Sequence, residues 1–180
     1  MTMAENQQNE QGVQDTDSTG MSATVLGFLI GEARYLVPMK EIGEVIQVPE
    51  VVPVPYTQLW FLGIINAHGN LFGITDLGVY LSGDSEPFGV KSRILLVANS
   101  YKMNCGFMVP TLLGIRSLSE FDQEQMVGGE LRNGVTHVYR DREGRQWFGL
   151  DLGSLIREKR FLQIERWAQT AGRESNSVND

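Results

Sequence analysis

The sequence carries the same pair of short patterns twice, in the same order. Tyr-x-Val-Pro at 35–38 and Leu-Phe-Gly-Ile-Thr-Asp-Leu-Gly at 71–78 are followed by Phe-x-Val-Pro at 107–110 and Trp-Phe-Gly-Leu-Asp-Leu-Gly at 147–153. The distance from the proline to the Phe-Gly pair is 34 residues in the first half (38 to 72) and 38 in the second (110 to 148). Shared order and similar spacing together predict two structurally equivalent lobes.

The residues around these patterns favour β-strands in both halves. Runs of β-branched and aromatic residues flank short breaks that contain glycine at 31–33, 67–70 and 141–144, which is the signal of β-hairpins. Further strands are expected at 94–98 and 105–110. We therefore predict a mainly β fold of two small, similar barrels of about 70 residues each, which share an apolar seam because lobes of that size are marginal alone.

Three segments depart from this β pattern. The stretch 49–55 holds three prolines and is expected to be a loop. Asp76 and Asp151 occupy equivalent places in the repeat, and the capping of short helical segments explains both better than a catalytic pair of carboxylates does. A C-terminal helix is expected over about 152–168, with an apolar stripe formed by Leu152, Leu155, Ile156, Phe161, Ile164 and Trp167.

The net charge of −7 is concentrated near the N-terminus. Residues 1–20 carry four acidic residues and no Lys or Arg, whereas 21–170 carry 14 basic and 16 acidic residues. The segments 1–21 and 171–180 are predicted to be disordered tails, because they cannot bury enough apolar surface to offset the loss of chain entropy. A nearly neutral body with an acidic arm gives no electrostatic reason to bind nucleic acid, which needs a cationic surface.

Cysteine usage and hydropathy indicate the compartment. Cys105 is the only cysteine, so the chain forms no internal disulfide. No apolar run approaches the roughly 20 residues that span a bilayer, and the N-terminus lacks the basic and apolar regions of a signal peptide. These features predict a cytoplasmic protein without direct membrane insertion.

Side chains that could perform catalysis are sparse. The two histidines, His68 and His137, lie on hairpin-like segments, and neither stands at metal-ligand spacing from Cys105. No glycine-rich phosphate-binding motif follows a strand. Cys105 with either histidine could form a nucleophilic pair, although a buried structural thiol is the commoner situation. The sequence therefore favours a protein that is not an enzyme and that uses no cofactor or metal.

A run of aromatic and aliphatic residues at 56–62 follows the proline-rich loop. Tyr56 and Trp60 are side chains of the kind that anchor protein interfaces. The same run also fits the start of a buried strand. Both interpretations stay open for these two residues.

These motifs resemble the CheW-like domains of chemotaxis systems, over roughly residues 22–168. The resemblance is carried by Phe-x-x-Gly-x-x-x-Tyr-x-Val-Pro at 28–38, Ile-x-Glu-Val-Ile at 42–46, Leu-Gly-Ile-x-Asn-x-x-Gly at 62–69 and Asp-Leu at 76–77. Within the family, the runs at 60–63 and 69–71 are most similar to the PilI-type adaptors of type IV pilus (twitching) signalling.

The resemblance implies two five-stranded, SH3-like barrels around a shared core, in a domain at 22–170. The first barrel would take about 35–90, and the second about 22–34 and 91–155. It also implies a non-catalytic adaptor in cytoplasmic arrays attached to membrane-anchored receptors. Its partners would be the cytoplasmic tip of a methyl-accepting chemoreceptor and the regulatory domain of a CheA-like histidine kinase.

The residues that this resemblance would place in contact with the receptor are Ile42, Glu44, Gly63, Asn66, His68 and Gly69. His68 departs from the arginine that is usual in the family's Asn-x-Arg-Gly turn. Histidine lacks the permanent charge and the forked donor of arginine, so the receptor contact is expected to differ here. Two alternatives stay open: an adaptor of flagellar chemotaxis, and a small-barrel nucleic-acid-binding protein, against which the acidic balance argues.

Overall fold

The computed structural model describes residues 23–84, 86–124 and 134–166, and the predicted tails at 1–21 and 171–180 lie outside them. Within these ranges the strands are β1 Thr24–Ile30, β2 Ala33–Pro38, β3 Ile42–Gln47, β4 Phe61–Ala67, β5 Asn70–Asp76, β6 Arg93–Val97, β7 Cys105–Val109, β8 Thr111–Ser117, β9 Phe121–Glu124, β10 Val135–Asp141 and β11 Gln146–Leu150. The helices are α1 Leu77–Ser82, α2 Leu152–Leu155 and α3 Lys159–Leu162, and short 3-10 turns span Met39–Glu41, Asn99–Tyr101 and Leu118–Glu120.

The strands form two sheets that are copies of one arrangement. One sheet has the order β8-β1-β2-β11-β10-β9 and the other has the order β3-β6-β7-β5-β4. The repeated sequence patterns lie on the parallel pairs at the centre, β2 with β11 and β5 with β7. The first five strands of the larger sheet correspond one to one with the smaller sheet. The prediction of a mainly β fold with two similar halves is therefore confirmed, although within the described residues neither sheet closes into a complete hydrogen-bonded barrel.

Each sheet combines strands from both halves of the sequence. The larger sheet takes β1 and β2 from the first half, and the smaller sheet takes β6 and β7 from the second. Strand β3 follows β2 along the chain but pairs with β6, because the 3-10 turn at Met39–Glu41 redirects the chain between the sheets. The first barrel was expected at about 35–90 and the second at about 22–34 and 91–155. In the observed sheets β1 lies beside β8 as that division requires, whereas β2 pairs with β11, and β6 and β7 belong with β5. One repeat of the sequence therefore does not correspond to one sheet of the structure, because each sheet takes strands from both repeats.

A shared core joins the sheets, as the small size of each lobe requires. Its largest cluster of buried residues includes Phe28 and Tyr35 from the larger sheet and Phe107 from the smaller one. Two smaller clusters lie against the individual sheets. Burial of large apolar side chains at about 1.5–3 kcal/mol each makes this seam the main source of stability.

The C-terminal segment differs from the single helix expected over 152–168. The chain forms two short helices, α2 and α3, because Glu158 has an extended backbone between them. The Glu158 carboxylate accepts a hydrogen bond from the Tyr80 hydroxyl at 2.6 Å, and Phe161 stacks on Trp60 with ring centroids 5.7 Å apart. The break therefore lets α3 reach across to the smaller sheet. Residues 167 and 168 lie outside the described residues.

The two aspartates of the repeat cap helices, as predicted. Asp76 accepts a hydrogen bond from the Val79 backbone N–H at 3.1 Å, and Asp151 accepts one from Ser154 at 2.6 Å. Each carboxylate thus satisfies a donor at the first turn of the helix that follows the repeated Phe-Gly strand. Among the described residues, no helix has the length and apolar character needed to cross a membrane.

Candidate protein-binding site

The tip of the β4–β5 hairpin is a tight, rigid turn. Ala67 and Asn70 are the last paired residues, and His68 and Gly69 between them have φ values of 52° and 80°. Two central residues with positive φ match the right-handed twist of the flanking strands, which suits short hairpins. The Asn66 side-chain oxygen accepts a hydrogen bond from the Gly69 backbone N–H at 3.0 Å. The Asn-x-x-Gly spacing therefore has a local structural cause.

A hydrogen bond between side chains joins this tip to the far edge of the same sheet. The His68 Nε2 atom lies 2.9 Å from Glu44 Oε2 and 3.2 Å from Oε1. Glu44 is on β3, and β3 and β4 are the two edge strands of the smaller sheet. The sheet therefore curls until its edges meet through side chains. Both side chains stay open to solvent, at 72% exposure for His68 and 46% for Glu44.

Two of the residues that were expected to contact the receptor are buried. Ile42 is 8% exposed and belongs to the core. Gly63 is buried, with a φ of 139°, and a Cβ atom there would lie 2.2 Å from the Val52 carbonyl oxygen. Val52 and Ile64 exchange backbone hydrogen bonds at 2.8 and 2.9 Å, which holds the proline-rich loop against β4. Ile42 and Gly63 are thus buried, and neither presents an exposed side chain to a partner.

The structure brings the other four residues together on the surface. We name Glu44, Asn66, His68 and Gly69 the hairpin corner; all four are exposed, and hydrogen bonds link Glu44 to His68 and Asn66 to Gly69. Beside them is a hollow of about 230 Å³, with Phe72 and Leu96 among its lining residues.

Leu71 is a further candidate that motif reasoning missed. It lies opposite Asn66 in the β4–β5 register and is 60% exposed. The signal was present in the alternation of β5, where Phe72 and Ile74 are buried. Leu71 adds an apolar group to an otherwise polar corner.

The two residues considered as interface anchors have different positions. Tyr56 is 82% exposed and remains a candidate. Trp60 is 5% exposed and packs against Tyr80 and Phe161, so the hypothesis that it anchors an interface is wrong. Its indole is needed to fill the space under α3.

The environment of Cys105 bears on the nucleophilic pair that the sequence suggested. Cys105 is buried on β7, and burial raises the pKa of its thiol to about 12, so the thiolate needed for a nucleophile does not form near neutral pH. No cluster of three or more His, Cys, Asp or Glu side chains suited to a metal ion is found within the ranges that the structure describes. The buried, protonated thiol disfavours the nucleophilic pair of Cys105 with a histidine.

Comparison with known proteins decides the family. The CheW-like domain family matches residues 24–160, which is most of the chain. The chain belongs to this family. It is 30% identical over 91 residues to Protein PilI of Pseudomonas aeruginosa, which covers 51% of each chain. It is 29% identical over 87 residues to Chemotaxis protein CheW of Helicobacter pylori, covering 48% of this chain and 52% of the relative. It is 28% identical over 96 residues to Protein FrzA of Myxococcus xanthus, covering 53% and 59%.

The match spans about half the length of the curated relatives. A solved structure extends the likeness to the whole fold: the scaffolding protein TtCheW from Thermoanaerobacter tengcongensis superposes with a TM-score of 0.64, covering 77% of this chain and 95% of the other. At 17% identity, this likeness concerns the fold. The CheW-like assignment and the two-sheet architecture therefore agree.

Proposed function

We propose that this CheW-like chain is a non-catalytic adaptor that couples the cytoplasmic tip of a methyl-accepting chemoreceptor to the regulatory domain of a CheA-like histidine kinase. The observation that carries the proposal is the hairpin corner. It is an exposed, preorganised group of polar side chains with an exposed leucine beside it. The chain that carries it belongs to the CheW-like family. Preorganised surfaces bind with a smaller loss of side-chain entropy, which suits a docking protein.

The Glu44–His68 pair supports a receptor contact that differs from an arginine-based one. An arginine fork would donate two hydrogen bonds to one carboxylate, whereas the Nε2 atom of His68 donates at most one. Part of the acceptor capacity of Glu44 is therefore left for a donor on the partner. We infer that the receptor tip presents such a donor, together with an apolar side chain that packs on Leu71.

The two sheets would divide the partners between them. The β4–β5 hairpin carries the Asn-x-x-Gly tip, but the equivalent β10–β11 hairpin is organised differently, around Asp141. That carboxylate accepts hydrogen bonds from the Trp147 indole at 2.9 Å and from the Arg145 guanidinium at 2.7 Å. We infer that the receptor binds the smaller sheet, and that the kinase's regulatory domain uses other surfaces of this chain.

The output that we propose is the control of type IV pili and twitching motility, with the protein held in the cytoplasm at membrane-anchored receptor arrays. Similarity to PilI supports this output, and similarity to two proteins named CheW supports the alternative of flagellar chemotaxis. Deletion of the gene separates the two, because loss of twitching with normal swimming supports the first and the reverse supports the second.

A capture experiment tests the adaptor itself. The full chain, immobilised, is expected to retain both a chemoreceptor tip fragment and a CheA-like kinase from the same organism. Retention of neither would refute the proposal. A fluorescence-anisotropy titration with single-stranded RNA at moderate salt tests the nucleic-acid alternative, for which saturable binding would be required.

A further inference from the structure

A cleft of about 570 Å³ opens in the larger sheet, where β2 and β11 end and β10 begins. Pockets that hold small molecules have volumes of this order. The walls of the cleft are largely apolar, and Val25, Leu36 and Leu150 among them are buried. None of the hairpin corner residues lines it, so the proposed receptor contact leaves it unused. We name it the β2–β11 cleft.

Two carboxylates line the β2–β11 cleft close to each other. Glu41 lies on the 3-10 turn after β2 and is 5% exposed, and its Oε2 atom accepts a hydrogen bond from the Leu152 N–H at 2.7 Å. Asp151 directly precedes Leu152 in the chain and is half-buried. The lining also includes Lys40, which is exposed. Among the described residues, neither carboxylate forms an ion pair with a lysine or an arginine.

The burial of Glu41 in this place costs stability. Burial raises the pKa of its carboxyl group, the Leu152 hydrogen bond lowers it, and the negative charge of Asp151 raises it further. The pKa is raised on balance, so the charged form is disfavoured in the fold. A buried carboxylate that lacks a cationic partner destabilises a protein, and a bound cation would offset this cost. A carboxylate accepts up to about four hydrogen bonds, so Glu41 keeps acceptor capacity for such a cation.

We propose that the β2–β11 cleft binds a small organic cation with an apolar body, such as an arylalkylamine. Its ammonium group would pair with Glu41 and Asp151, while its apolar body would cover Val25, Leu36 and Leu150. The lining disfavours an anion, because an anion would face two carboxylates. An inorganic cation would gain nothing from the apolar walls, and a neutral molecule would leave Glu41 without an ionic partner. This inference goes beyond the proposed adaptor function and does not depend on it.

Isothermal titration calorimetry of the full chain at pH 7 tests the inference with 2-phenylethylamine, which is protonated at that pH. The amine should bind to the wild type at millimolar concentrations or below. The probe 2-phenylethanol has the same apolar body and no charge, and should bind at least about ten-fold more weakly. Glu41→Gln removes the charge and keeps an acceptor for the Leu152 N–H. It should weaken binding of the amine at least about ten-fold and leave the affinity for the alcohol unchanged, which a merely structural role of Glu41 does not predict.

Asp151→Asn repeats the test at the second carboxylate, since asparagine still caps α2. The matched control is Glu44→Gln, which removes a carboxylate that does not line the cleft and should leave amine binding unchanged. Circular dichroism verifies that each variant is folded. The proposal is overturned if the wild type binds no amine at concentrations up to about 10 mM. Equal affinities for the amine and the alcohol would also overturn it, as would undiminished amine binding in both cleft variants or an equal loss in Glu44→Gln.

Discussion

The indole nitrogen of Trp147 donates a hydrogen bond to Asp141 Oδ2 across 2.9 Å, inside the turn of the β10–β11 hairpin. The same carboxylate accepts bonds from the backbone N–H groups of Glu143 and Arg145 at 3.0 and 2.9 Å, and from the Arg145 guanidinium at 2.7 Å. One side chain thus organises the turn and orients Trp147, which is 1% exposed. In the other hairpin, the β4–β5 turn is organised by a single hydrogen bond from the Gly69 N–H to the Asn66 side chain.

Asp141 should make stability depend on acid pH. Burial raises its pKa, but the hydrogen bonds from Trp147 and Arg145 outweigh burial and hold the pKa well below its usual value. A carboxylate with a lowered folded pKa stabilises the fold above its unfolded pKa of about 4, and this contribution is lost as pH falls below that value. Asp141→Asn should lower the free energy of unfolding by about 1–3 kcal/mol at pH 7. Denaturant melts at pH 7, 4 and 3 should show the difference shrinking, and a constant difference would contradict the assignment.

Glu41 should reduce the stability of the fold as pH rises, whereas Asp141 increases it. It is 5% exposed and accepts a hydrogen bond from the Leu152 N–H at 2.7 Å, and burial raises the pKa of its carboxyl group. A raised folded pKa means that the charged form is disfavoured in the fold, so its cost appears as pH rises through the unfolded value and the folded one. Glu41→Gln keeps an acceptor for Leu152 and should raise the melting temperature more at pH 8 than at pH 4.5. A shift of equal size at both values would show that charge is not the cause.

Phe161 should be essential to the packing of the C-terminal segment. It is 5% exposed and lies among the rings of Trp60, Tyr80 and Phe107. Phe161→Ala should reduce the free energy of unfolding by about 3–5 kcal/mol, because it leaves a cavity between the sheet and α3. Leu59→Ala, at a residue 75% exposed, should change it by less than about 0.5 kcal/mol. Urea melts of the two variants provide the comparison.

Two glycines of the β4–β5 hairpin should respond differently to alanine. At Gly63, with φ of 139°, a Cβ atom would collide with the Val52 carbonyl, whereas at Gly69, with φ of 80°, nothing lies within 4 Å. Gly69→Ala should therefore cost about 1–2 kcal/mol from backbone strain alone. Gly63→Ala should cost more and should displace the loop at 51–55 from β4. Hydrogen exchange at the Val52 and Ile64 amides measures that displacement, and equal protection in both variants would refute it.

Sequence patterns identified the features whose causes are local. The caps at Asp76 and Asp151 and the turn at Asn66–Gly69 depend on residues three positions apart, so the chain itself reveals them. Trp60 and Tyr56 could not be told apart in this way, because the ring that buries Trp60 belongs to Phe161. The break at Glu158 likewise depends on the Tyr80 hydroxyl, 78 residues away. The exchange of strands between the sheets arises from pairings such as β3 with β6, which no local pattern specifies.

The hairpin corner provides the prediction that bears most directly on function. The Glu44–His68 pair is solvent-exposed, so it should add less than about 1 kcal/mol to stability. A double-mutant cycle of Glu44→Gln and His68→Gln should therefore show little coupling in urea melts. His68→Glu sets two carboxylates against each other on the contact surface and should weaken binding of the receptor tip about ten-fold or more. Asn66→Ala removes the acceptor for Gly69 and should weaken binding less, by loosening the turn.

The matched control for the corner is His137→Glu, at a histidine that is also exposed and lies on β10 of the other sheet. It introduces the same charge change into the chain, so a general electrostatic effect would weaken receptor binding in both variants alike. A loss confined to His68→Glu, with unchanged melting, would locate receptor contact at the hairpin corner. Unchanged affinity in His68→Glu and Asn66→Ala, measured by calorimetry with the receptor tip fragment, would exclude the corner from the contact. Because the two sheets are copies of one arrangement, this comparison also tests whether they have divided their partners.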